Sequence, residues 1–251
     1  MRAMAARTFG ALRIAIKKLE ELYKQPMSQL EPRKYTPLGC PYPREFTEQS
    51  TKRIQKFWYD ETQILRDKRI FFGTVKDTEK KICIKFVRRY SPEAHRFCAE
   101  KGHAPELIAY EPLAGGWNMV VMDVIETDSN RSGLIYYKPL ATMIILDRQP
   151  LKGPITSLVE ALHNHCDTGY VHGDLHEHNI LVRNDMTNFM LMDFDWAGPV
   201  GQTFYPMLVN CWSIERPDDA KDGMMIKPEH DMEMLEYIFN AERPAKRLRL
   251  M

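Results

Sequence analysis

The chain has 251 residues, 44% of them hydrophobic, and carries 35 basic against 34 acidic side chains for a net charge of +1. That length and apolar share can fill one large domain or two lobes, and the balanced charge gives no electrostatic case for a nucleic-acid partner. No run of about 18 apolar residues occurs, so no membrane span or membrane partner is expected. The five scattered cysteines, without metal-ligand spacing or a secretory leader, point to an intracellular compartment, cytoplasmic or nuclear.

In chain order, residues 1–19 hold five Lys or Arg and no acid in an amphipathic pattern. The likeness to a transit peptide is superficial, because Glu20, Glu21, Leu22 and Tyr23 continue the same helix; a solvated N-terminal packing helix is expected. Pro26, Pro32, Pro37, Pro41 and Pro43 mark residues 25–47 as an extended linker, so residues 1–55 form an N-terminal extension. Between residues 57 and 75 the sole glycine is Gly73, which leaves no G-x-G-x-x-G cradle for phosphates. Residues 80–87 alternate like a strand and put Lys85 among apolar neighbours, where a strand lysine pairs the α- and β-phosphates of a nucleotide. Lysine on a strand is more often merely solvated; the loop described next favours the phosphate role.

Ser91 and Pro92 start a short helix as N-cap and first helical residue. Glu93 and Glu100 both qualify as the helix glutamate that holds Lys85. Glu93 is preferred because it lies well ahead of Ala104, Pro105, Glu106 and Leu107, which open the next strand, although a glutamate there also suits the helix dipole alone. Residues 117–125 form an apolar strand running into a short linker. An adenine ring would meet backbone groups near Asp123 and Val124, with Met122 at the back of that pocket, and this completes a small lobe over residues 56–125.

Ile155, Leu158, Val159, Leu162 and Cys166 follow helical spacing that ends at Gly169. The chain then reads His172, Gly173, Asp174, Leu175, His176 and, three positions on, Asn179, with Asp193, Phe194 and Asp195 after a second apolar strand. One carboxylate, an amide five residues on and another carboxylate form the set that holds metal ions through hard oxygens and orients a hydroxyl for phosphoryl transfer. Asp174 is the candidate catalytic carboxylate, and Asn179 and Asp193 are the candidate magnesium ligands. A capped turn would explain Asp174 and Asn179 but would not require Asp193. Residues 180–182 and 189–192 make a hairpin that delivers Asp193 beside Asp174. Residues 126–240 thus form a larger lobe, followed by a basic tail over 241–251 that reads equally as a nuclear import signal or a disordered end.

The segment from His172 to Asn179, with Asp193, Phe194, Asp195, Trp196, Ala197 and Gly198, resembles the protein kinase-like superfamily. It is most similar to the kinase-like domain proteins abundant in fungi and more distantly resembles aminoglycoside and choline phosphotransferases. The similarity extends to Lys85–Val87, Glu93–His95, Ala104–Pro105, Val121–Met122, Tyr205–Pro206 and His230–Asp231, and so covers roughly residues 56–240. It implies an α+β, two-lobe protein kinase-like fold with a small β-rich N-lobe and a truncated helical C-lobe. It further implies ATP and Mg2+ as cofactors and a hydroxyl acceptor, protein or small molecule. By the same resemblance Asp231 ties down the catalytic loop, His172 braces the backbone near Asp193, and His176 stands where many protein kinases carry a phosphate-contacting lysine.

Departures from that pattern are informative. Asp195 replaces the glycine of D-F-G, either joining the metal shell or rigidifying the segment. Gly173 replaces the arginine that would read a phosphorylated activation loop, and no A-P-E occurs. The chain ends soon after residues 231–240, which leaves no room for the helices on which ordinary protein kinases dock peptides. Three classes therefore compete: an ATP-dependent protein kinase, a kinase for small-molecule hydroxyls, and a pseudokinase acting as a nucleotide-binding module.

Overall fold

The computed structural model describes residues 2–24, 43–65, 69–127 and 135–240. The basic tail and residues 25–42 of the proline-rich stretch lie outside the described residues. The chain divides into two units, Met1–Tyr42 and Pro43–Met251. The first contributes one helix, α1 (Arg2–Lys24), with Phe9, Leu12, Ile16 and Leu19 exposed along it.

The second unit opens with an antiparallel sheet of six strands: β1 (Glu45–Thr47), β2 (Ile54–Leu65), β3 (Ile70–Val75), β4 (Lys81–Val87), β5 (Leu107–Leu113) and β6 (Trp117–Asp123). Their order is β1-β2-β3-β4-β6-β5. Residues 45–47, read above as linker, pair with the start of β2 because Phe46 is a buried anchor whose ring meets Phe57. In β4 the adjacent Ile84 and Lys85 are both buried, and the register Cys83 to Met122 and Lys85 to Val120 sets these four side chains on one face of the sheet. On that face Cys83, Val120 and Met122 pack with Tyr90, just ahead of α2 (Pro92–Glu100), where Ser91 accepts the N–H of Ala94 as N-cap and Pro92 occupies the first turn.

A helical region follows. After β7 (Tyr137–Pro139), α3 spans Ile145–His163 and α4 spans Pro228–Phe239; between them lie the short strands β8 (Tyr170–Val171), β9 (Ile180–Arg183), β10 (Phe189–Leu191) and β11 (Gly198–Pro199). β9 and β10 form the expected hairpin, with Phe189 opposite Val182. The helix α3 starts ten residues before the apolar periodicity predicted, running through Pro150 and Pro154. Both prolines are exposed, and each removes one helical donor. The helix also stops before Cys166, which is exposed in the following turn at φ +55.

One core joins the two regions. Ala94, Phe97 and Cys98 of α2 pack with Leu151, Ile155, Leu158 and Leu162 of α3, with Leu235 and Ile238 of α4, and with Phe194. Phe194 lies at the join: its ring stacks on His95 at 4.8 Å, and its carbonyl accepts the N–H of Ser91. The chain thus folds as a β-rich lobe and a helical lobe, clasped where α2 meets the segment after β10.

Candidate active site

The loop after β8 is held by a single carboxylate from α4. Asp231, fully buried, accepts the backbone N–H of His172 at 2.7 Å and of Gly173 at 2.8 Å, and its Oδ2 lies 3.0 Å from His163 Nε2 at the end of α3. Gly173 has φ +79, and a Cβ there would stand 2.8 Å from Ile226 Cδ1 and 3.1 Å from the Trp196 carbonyl. An arginine does not fit this backbone without displacement. The buried His172 ring donates from Nε2 to Met192 O at 3.1 Å and accepts the Asp174 N–H at Nδ1. Burial holds its pKa below the ordinary value, which keeps the ring neutral in that tautomer. These bonds fasten the loop to the strand end that carries Asp193.

Asp174 is surrounded by donors. Its Oδ1 accepts from Arg216 Nη2 at 2.5 Å, and its Oδ2 accepts from Asn179 Nδ2 at 3.2 Å. Asn179 Nδ2 also donates to the Asp174 carbonyl at 3.0 Å. The His176 ring approaches Oδ2 to 3.7 Å, beyond hydrogen-bond length. Burial alone would raise the Asp174 carboxyl; the His176 ring and the Arg216 guanidinium outweigh it and leave the group below the ordinary carboxylate range.

Facing this loop, Lys85 Nζ lies 2.6 Å from Asp193 Oδ1 and 2.6 Å from Asp195 Oδ1, with its side chain 9% exposed. Burial opposes the ammonium charge, but the two carboxylates hold its pKa above the ordinary lysine value. Burial likewise disfavours both carboxylates. Asp193 beside Lys85 nevertheless stays below its usual value, and Asp195 is raised, by burial and then by the negative charge of Asp193. Asp193 holds φ +66, a conformation a non-glycine residue adopts at an energetic cost.

The structure does not bring Glu93 to Lys85. Its side chain is 53% exposed and its Oε1 is 3.8 Å from Arg96 Nη1. The helical phase explains this: Ala94, His95, Phe97 and Cys98 occupy the inward face of α2 and leave Glu93 outside. Glu100 is exposed as well. In the neighbouring wall, Met122 is buried on the same face as Cys83 and Lys85, and burial pushes the Cys83 thiol up to about 12. Asp123 commits its carboxylate to Lys80 at 2.7 Å and its N–H to Glu106 O, so neither is left to grip a purine. Val124 is exposed at the strand end.

Among the described residues no three His, Cys, Asp or Glu side chains converge as a protein-only metal cage. The donors fit a cation shared with phosphate instead. Asn179 has its amide nitrogen turned to Asp174, which leaves Oδ1, and Asp193 adds a carboxylate; both are hard oxygen donors suited to Mg2+. Sequence reasoning missed Arg216, whose side chain is 2% exposed against Asp174. It lies in an aperiodic stretch before Pro217 that carries no spacing signal.

A β-rich lobe over a helical lobe, with a lysine strand facing an Asp-x4-Asn loop and an Asp-Phe-Asp turn, defines the protein kinase fold. Among solved structures the chain is similar to vaccinia related kinase 3, with a TM-score of 0.51 at 15% identity over 88% of this chain and 72% of that one. It also matches the Cydia pomonella granulovirus kinase PK-1, with a TM-score of 0.49 at 16% identity over 70% of this chain; the match spans 65% of the viral kinase, less than two thirds of its length. At such identities the likeness is one of fold. No protein-family model matches the sequence, and no curated protein does.

Proposed function

We propose that the chain is an ATP-dependent phosphotransferase that moves the γ-phosphate to a hydroxyl acceptor, with protein kinase activity as the leading form. The observation that carries this reading is the ion pair from Lys85 of the sheet to Asp193 just after β10, next to the loop in which Asn179 bonds Asp174 and accepts the Met192 N–H. Lys85 would bind the α- and β-phosphates, Asn179 and Asp193 would hold magnesium, and Met122, Asp123 and Val124 would border the adenine. Bound magnesium would supply charge screening between phosphate oxygens. Asp174, kept ionised by its donors, orients the acceptor hydroxyl more than it strips the proton, since a carboxylate of depressed pKa is a weak base. His176, 3.7 Å from Asp174 Oδ2, is a further candidate catalytic side chain of the loop.

The division into an extension (1–55), N-lobe (56–125), C-lobe (126–240) and tail (241–251), an intracellular setting, and the kinship with fungal kinase-like proteins belong to this same reading. Two observations favour a second reading, a nucleotide-binding module without transfer: Lys85 is already paired with two carboxylates, and the sequence lacks a glycine cradle.

Titration with ATP, in magnesium and in chelator, separates these readings when combined with a radiolabelled transfer assay on protein and metabolite pools. Asp193→Asn should weaken the magnesium dependence of ATP binding. Asp174→Asn should preserve ATP binding and lower transfer by about 10² or more, the range of a positioned acid–base group. Equal ATP binding with and without magnesium would remove the metal assignment. Joint loss of binding and transfer in folded Asp174→Asn would make Asp174 structural.

A further inference from the structure

A buried arginine that the catalytic motifs do not contain holds the proposed catalytic carboxylate. Arg216 comes from the stretch between β11 and α4, 42 residues beyond Asp174. Four different groups fix its guanidinium. Nη2 donates to Asp174 Oδ1 at 2.5 Å, Nε donates to the Asn210 carbonyl at 3.0 Å, Nη1 lies 3.8 Å from Met234 Sδ of α4, and the Trp196 ring lies under its Cζ at 4.7 Å. With its side chain 2% exposed and Asp174 14% exposed, this is a desolvated ion pair and not a surface contact.

The planar guanidinium fixes direction as well as charge, because its donors form a rigid fork. Oδ1 of Asp174 is turned to that fork and Oδ2 to Asn179, so the rotation of the carboxylate is set from both sides. Nothing in the catalytic loop itself does this for Oδ1. His176, two residues on from Asp174, stays at 3.7 Å and on the other oxygen. The bond to Asn210 also ties the segment before Arg216 to the catalytic loop.

We propose that Arg216 is a positioning residue for phosphoryl transfer, holding Asp174 in the orientation from which it meets the acceptor hydroxyl and coupling that orientation to the segment around Asn210. This rests on the phosphotransferase reading above. Arg216 is not assigned a contact with nucleotide, which sets the test apart from a general loss of the site.

The experiment is steady-state transfer and ATP calorimetry on the full chain with Arg216→Met and Arg216→Lys, each with a melting curve. Arg216→Met should lower kcat by about 10² while KM for ATP and the calorimetric Kd change less than about threefold, the signature of an interaction that acts in the transition state and not in nucleotide binding. Added guanidinium at millimolar levels should restore part of kcat to Arg216→Met and none to wild type. Arg216→Lys, which keeps charge and loses the fork, should fall between wild type and Arg216→Met. If Arg216→Met unfolds, Arg216→Lys carries the same comparison. Wild-type turnover with unimpaired kcat in a folded variant, or kcat lost without guanidinium rescue and with equal loss of ATP affinity, overturns the inference alone. A wild-type chain that transfers no phosphate overturns the functional reading and this inference with it.

Discussion

Lys85 shows how a buried charge chooses its partner by geometry and not by motif. An ammonium with 9% side-chain exposure requires a carboxylate, since an unpaired buried charge costs several kcal/mol. Asp193 and Asp195 meet that need at 2.6 Å each, whereas Glu93 points to solvent beside Arg96. Exposed pairs of that kind are worth roughly 0.2–1 kcal/mol, so Glu93→Gln should leave the melting temperature nearly unchanged and alter the Kd for ATP by less than about twofold. Lys85→Met should weaken ATP by about tenfold or more, equivalent to roughly 1.4 kcal/mol. Calorimetry on the two variants checks this, and loss of ATP binding in a folded Glu93→Gln would return the helix glutamate to the site. The residue types were legible in the sequence and their pairing was not. Glu93 and Asp195 are both acids near the correct motif, and the phase of α2 is what separates them.

At the scale of elements, the segment from Asp193 to Asn210 contains two hydroxyls, Thr203 and Tyr205, and both are committed inside the fold. Thr203 Oγ1 donates to Pro199 O at 2.8 Å, and buried Tyr205 lies 3.0 Å from His230 Nδ1 and stacks on that ring. With Gly173 where an arginine would read a phosphate, and with both hydroxyls buried, the segment presents no exposed phosphate acceptor. Thr203→Ala with Tyr205→Phe should therefore keep turnover within about twofold while losing stability, since a buried hydrogen bond contributes about 1 kcal/mol. A large loss of turnover at an unchanged melting temperature would reveal a phosphorylation switch. The hairpin β9–β10 was legible because two apolar runs flank a polar turn, and the catalytic loop because its spacing is rigid. The first turns of α3 were hidden by Pro150 and Pro154, which read as helix breakers although the helix runs through both. Gly169, expected to end α3, lies beyond the helix, whose C-cap is Asn164; at φ +66 a Cβ on Gly169 would fall 1.8 Å from His163 O.

At the scale of the molecule, the two lobes meet through contacts that no sequence period marks. The His95 ring stacks on Phe194, and its two nitrogens lie 2.7 Å from Tyr90 OH and 2.8 Å from Pro105 O. That arrangement suits a neutral ring, which donates to the carbonyl and accepts from the phenol. Burial, followed by the positive charges of Arg96 and Lys85, depresses the His95 pKa to about 4 against the opposing pull of the Pro105 carbonyl. His172, buried under the catalytic loop, is shifted the same way. Between the ordinary histidine pKa of 6.5 and about 4, the unfolded chain therefore binds protons that the folded chain refuses. Stability is present in full above the upper value and is lost as pH falls through that window, by up to about 1.4 kcal/mol per pH unit for each such group. Asp195, raised to about 7, takes up a proton in the folded chain over the same range and opposes this slope, so the share of His95 is read as a difference: His95→Gln should lose stability less steeply than wild type between pH 7 and pH 5, while lowering stability at pH 7. An unchanged slope in folded His95→Gln would mean that the lobe junction is insensitive to the charge of this ring, and that the acid sensitivity of the fold resides elsewhere.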